Sequence, residues 1–107
     1  MTVQAALLAG MVEDKPRFLV GVRDLIGVRA PKSVWGHLDS PEDGGVYVAE
    51  CHILSTDDGH EICLKGKGAN GNPFEWSGGF DDIDVVVLGK GGFELSTDSQ
   101  PTLTLFV

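Results

Sequence analysis

The chain has 107 residues, 42% of them apolar and 22% charged, with a formal net charge of −8. That length and balance fit one globular domain, residues 1–107, and exclude a largely disordered chain. The excess of negative charge argues against nucleic acid and anionic membrane as partners, because it repels phosphates.

The charge is also divided. Residues 1–38 hold five basic and three acidic residues, a net of +2, whereas residues 39–107 hold three basic and thirteen acidic, a net of −10. A patterned field of this kind favours a basic protein partner and does not name one.

The first segment, residues 3–12, is apolar. No Lys or Arg precedes it, and Glu13 and Asp14 follow at once, which makes a poor signal peptide. It is also too short to span a bilayer. We read it as mature structure and expect a cytoplasmic protein. Ala5, Ala6, Leu7, Leu8 and Ala9 favour helix, and Gly10 can end it.

Asp14 before Pro16 marks a second helix start. Phe18, Leu19, Val22, Leu25 and Ile26 then form one apolar stripe on a helix ending at Gly27. Gly21 weakens that reading, and a strand over residues 18–22 competes with it. Residues 31–38 are expected to add one helical turn, with Val34, Trp35 and Leu38 packing. Residues 39–45 have the composition of an exposed loop.

From Val46 the apolar period becomes two. Asp58-Gly59 suits a two-residue type I′ turn, which would pair Asp57 with His60, Ile53 with Leu64 and Cys51 with Gly66. That register puts Tyr47, Ala49, Cys51, Ile53, Ile62 and Leu64 on the core side, and sets Glu50 opposite Lys67. Cys51 and Cys63 then lie on opposite faces, so two reduced thiols are expected rather than a disulfide. Asn70-Gly71-Asn72-Pro73 makes the next turn. Phe74 and Trp76 share a face, and Val85-Val86-Val87 suggests a strand buried on both sides. Leu103, Leu105 and Val107 face one way in the last strand.

The expected fold class is α+β. One or two N-terminal helices (the helical part, 1–38) pack on a curved, mainly antiparallel sheet of about five strands (the β part, 46–107). A half-open barrel wrapped round the helix is a close variant.

Gly66, Gly68 and Gly71 fit G-x-G-x-x-G, but the residues that follow have no helical period, so a hairpin connection is the better reading than a nucleotide site. His37, His52, His60, Cys51, Cys63, Asp57 and Asp58 lack the paired spacing of a zinc site, and no calcium-loop pattern occurs. No nucleophile elbow accompanies Ser33 or Ser55. No catalytic residue, metal or cofactor is therefore assigned, and a non-enzymatic protein is expected.

The leading expectation is a small acidic binding protein of the immunity-protein or inhibitor type, neutralising a basic partner such as a toxin nuclease. Its contact residues would be Asp39, Glu42, Asp43, Asp57, Asp58, Asp81, Asp82 and Asp84, with Trp35 and Trp76 as apolar anchors. One alternative is a small enzyme or ligand-binding domain with a pocket between helix and sheet. Another is a structural subunit of a homo-oligomer or phage particle, favoured by a free edge at residues 102–107.

Overall fold

The computed structural model describes residues 3–10, 12–29, 34–39, 44–89 and 91–106. Two helices precede seven strands: α1 (Val3–Ala9), α2 (Lys15–Arg29), β1 (Val34–Leu38), β2 (Gly44–Thr56), β3 (Gly59–Gly68), β4 (Pro73–Gly79), β5 (Asp84–Gly89), β6 (Gly92–Thr97) and β7 (Gln100–Phe106). The class is α+β, with one open antiparallel sheet in the order β4-β3-β2-β1-β7-β6-β5. Among the described residues no helix is long and apolar enough to cross a membrane.

The helices form where the sequence placed them. Gly10 takes φ 73° and closes α1. Asp14 caps α2, its Oδ1 accepting the Arg17 N–H at 3.1 Å. Phe18, Leu19, Val22 and Ile26 are buried, so the apolar stripe is the packing face and the competing strand is excluded. Gly21 has a packing role: a Cβ there would lie 2.8 Å from Val3 Cγ2, so the missing side chain lets α1 lie against α2. The helix continues past Gly27 to Arg29, because Gly27 keeps a helical backbone without the positive φ of a left-handed cap.

Several expectations are corrected. The helical turn expected up to Leu38 is not formed: Val34–Leu38 is β1, paired with both β2 and β7, while residues 31–33 lie outside the described set. A central position in the sheet satisfies the backbone groups of so short a run, which a lone turn would leave to water. The last strand is internal, flanked by β1 and β6, so residues 102–106 offer no free edge. Val85-Val86-Val87 lies instead in an edge strand, and Val86 is 48% exposed.

The first hairpin is also displaced. Ser55 pairs with His60, Ile53 with Ile62 and Cys51 with Leu64, a shift of two residues from the expected register. Asp57 and Asp58 form the turn, and Gly59 opens β3 with φ 132°. The glycine thus serves the first strand position rather than the turn itself. A shift of two keeps the faces, so Cys51, Ile53, Ile62 and Leu64 stay on the inner side.

A bulge at Ala49 then reverses the alternation. Beyond it Val46 and Val48 are buried and Tyr47 turns outward, opposite to the expected core position of Tyr47. Glu50 pairs with Lys65 instead of Lys67. Gly66 permits this distortion, because a Cβ on it would collide with the Tyr47 carbonyl.

The sheet curls. Edge strand β4 reaches β7, which stands four places away in the strand order, and Trp76 Nε1 donates to the Pro101 carbonyl at 2.8 Å. Inside the curl, Trp76, Leu64, Phe93, Leu95, Leu103 and Leu105 are fully buried, and α2 closes over them with Phe18 edge-on to Phe93 at 5.2 Å.

Two glycine substitutions separate packing from propensity. Gly66→Ala should destabilise the fold by about 1–3 kcal/mol or more, through the clash at the bulge. Gly27→Ala, with open space round its Cβ in a helix, should stabilise by about 0.5–1 kcal/mol. Urea unfolding followed by circular dichroism reads both.

Candidate interaction surface

Backbone hydrogen bonds assemble one acidic pole. The β2–β3 turn carries Asp57 and Asp58, and the β4–β5 turn carries Asp81 and Asp82. The Phe80 N–H donates to the His60 carbonyl at 2.9 Å, which ties the second turn to the root of the first. The Asp82 and Ile83 N–H groups both donate to the Gly79 carbonyl, at 3.0 and 3.1 Å, so the β4–β5 turn is tightly wound. Lys15 Nζ donates to the Ile83 carbonyl at 3.0 Å and fastens the start of α2 to the same place. Asp84 follows at the head of β5.

All five of these aspartates are exposed. Among the described residues the ion pair present is Arg23–Asp24 at 3.0 Å, and none of the five takes part in it. Their charge is therefore directed at solvent. The remaining acids do not join them. Asp39 sits beyond β1, where its N–H donates to the Thr102 carbonyl at 2.8 Å, at the Gly44 end of β2 and opposite to the Asp57 end. Glu42 and Asp43 lie outside the described residues.

The two tryptophans part company. Trp76 is 0% exposed with its indole N–H satisfied, so it is a core residue with no surface to offer a partner. Trp35 is 46% exposed on the outer face of the sheet and stacks on Phe106, with ring centroids 5.0 Å apart and planes at 25°. Tyr47 pairs with Trp35 across β1 and β2, which extends the row. Glycines lie beneath the rings. A Cβ on Gly45 would come 3.2 Å from Trp35 Nε1, and one on Gly92 would come 3.2 Å from the Phe106 ring. Sequence reasoning missed Tyr47 and Phe106 as surface residues. Phe106 was legible, being out of phase with Leu103 and Leu105. Tyr47 was not, because the bulge sets its side.

An open cleft of about 620 Å³ lies between α2 and the acidic pole, with Asp14, Arg17, Arg23, His60, Phe80 and Asp81 on its walls. The His60 ring packs against Phe80 at 5.7 Å and remains exposed, as do His37 and His52. Among the described residues no group of three or more His, Cys, Asp or Glu is placed to hold a metal ion. The glycines of G-x-G-x-x-G run from β3 into the turn before β4, so a strand and not a helix N-terminus follows them.

The two cysteines are free and belong to opposite faces. Burial beside α2 pushes the Cys51 thiol up to about 12, against the lowering effect of Arg23. Burial also raises Cys63, as does Glu75, whose Oε1 accepts from Sγ at 3.7 Å. Both thiols are thus held protonated and are weak nucleophiles. No protein-family model, curated protein or solved structure matches the chain.

The thiols make the fold sensitive to alkali. Their folded pKa values lie above the ordinary 9.0, so the unfolded chain ionises first. Their contribution to stability should be intact below pH 9 and fall as the pH rises toward about 12. Replacing Cys51 with Ser should flatten that part of the pH–stability curve, and native Cys51 should react with iodoacetamide more slowly than free cysteine near neutral pH.

Proposed function

We propose that this is a small acidic, non-enzymatic binding protein of the immunity or inhibitor type, which neutralises a basic protein partner such as a toxin nuclease. The observation that carries this reading is the acidic pole: four carboxylates on two turns joined by a backbone hydrogen bond, exposed and without an ion pair among the described residues. Fixed like charges with no ion pair among the described residues cost self-repulsion, and a cationic partner relieves it. Preorganised in this way, they raise the encounter rate with a basic surface more than they raise the final affinity.

Trp35, stacked and half exposed, is the apolar anchor this reading retains. The pocket-bearing alternative draws less support, since His60 stands exposed at an open cleft rather than enclosed beside a carboxylate.

Reversing Asp81 and Asp82 to Lys changes the net charge from −8 to −4, each reversal adding two charges. The partner is first captured from host lysate on the immobilised protein, as a basic protein bound at low salt and partly retained at high salt. Stopped-flow mixing should then show association roughly tenfold slower for the double variant at low salt, with the gap closing as salt is added. Both side chains are exposed, so the unfolding midpoint should stay put. Equal association rates for the two proteins at low salt would remove the acidic pole from the mechanism.

A further inference from the structure

The two edges of the sheet are protected very differently. β4 begins with Pro73, contains no run of apolar residues, and is folded over toward β7 by Trp76. These are devices that blunt an edge. β5 lacks the proline and the polar sequence, although α1 packs against it and a bulge interrupts its pairing at Leu88. Its core sequence is Val85-Val86-Val87-Leu88, β-branched or apolar throughout, with no proline and no charge. Among the described residues, no backbone hydrogen bond reaches residues 84–89 from anywhere but β6. Among the described residues the outward backbone groups of β5 therefore have no backbone partner, on a strand of high β propensity.

The side chains next to that edge are also apolar. Val86 is 48% and Leu88 47% exposed on the outer face. Gly89 pairs with Gly92, on which the Phe106 ring lies, so the exposed strip continues from β5 toward Trp35.

We propose that β5 is a pairing edge for a second copy of this chain, with two β5 strands meeting antiparallel about a two-fold axis and joining the two sheets into one. The charge pattern selects a copy as the occupant. The strand opens with Asp84, and in the sequence Lys90 follows directly after its last residue. Antiparallel self-pairing brings the Asp84 end of one strand to the Gly89 end of the other, twice by symmetry. Between these ends only apolar residues and Gly89 meet, so the net charge of −8 is not concentrated at the join. Main-chain hydrogen bonds supply the affinity, and Val86 and Leu88 are packed across the seam. The seam shares Asp84 with the acidic pole and leaves the turns that carry Asp57, Asp58, Asp81 and Asp82 outside it.

Sedimentation velocity from micromolar to millimolar protein tests it. The mass should rise from 11.4 kDa toward twice that value. Val86→Lys should stay at the monomer mass throughout with an unchanged circular dichroism spectrum. Leu54→Lys is the control: the same charge change at a residue 51% exposed on the β2–β3 hairpin should leave dimerisation intact. Hydrogen exchange on the unmodified protein gives a second readout that requires no variant. Amides of residues 84–89 should become slower to exchange at high concentration, whereas those of residues 73–79 should not. A single monomeric species at every concentration overturns the proposal. So does a dimer that survives Val86→Lys without concentration-dependent protection of β5.

Discussion

The fold depends on how one indole is buried. Trp76 lies on β4, an edge strand, yet it is wholly excluded from water and donates its N–H to the carbonyl of Pro101 at the start of β7. A side chain of this size contributes roughly 4–6 kcal/mol of apolar burial by area. An indole N–H left unbonded in such a place would forfeit about 1–3 kcal/mol of that. The bond to Pro101 is therefore what makes the position tolerable, and it exists only if the sheet curls. Curling brings β4 over β7, encloses Phe93, Leu95, Leu103 and Leu105, and leaves the open side for α2. The β3–β4 ladder, which pairs Gly79 with Glu61, sets the β4–β5 turn beside the root of the β2–β3 hairpin, which is how aspartates far apart in sequence come to share one pole.

A second constraint decides which residues face outward. The bulge at Ala49 inserts one residue in β2, and alternation of period two then reverses along the rest of the strand. Val46 and Val48 replace Tyr47 in the core, and the tyrosine joins Trp35 and Phe106 outside. Glycines make both changes possible. Gly66 admits the Tyr47 carbonyl, and Gly45 and Gly92 leave room for aromatic rings to lie on the sheet. The abundance of glycine therefore reflects close approaches within strands as well as tight turns.

The acidic pole and the stacked aromatic pair are kept apart in this molecule. Four aspartates of the pole occupy the β2–β3 and β4–β5 turns, while Trp35, Tyr47 and Phe106 lie on the outer face toward the other end of β2. On the acidic pole the carboxylates lack ion pairs among the described residues, and the cations nearby are on α2, where Lys15 is engaged with the Ile83 carbonyl. Separation of this kind lets a long-range field and a short-range contact surface act without competing. A charge set among the aromatic rings would have to be desolvated on contact, at a cost that a turn tip avoids.

Local signals in the sequence determined much of the architecture. Asp14, Pro16 and the stripe from Phe18 to Ile26 specified α2, because capping and a 3.6-residue period act within one element. Turn chemistry near Asp57 and Asn70 specified short connections, and short connections force antiparallel pairing. The thiols were placed on opposite faces because a register error of two residues preserves the side of every side chain. Tertiary structure alone decided the rest. Val34–Leu38 carries too few residues to reveal whether it is a helical turn or a strand, and became β1 because β2 and β7 flank it. The bulge at Ala49, the burial of Trp76 and the edge position of β5 each depend on which strands become neighbours. Neighbourhood is set by contacts between residues distant in the chain, and no local pattern encodes it.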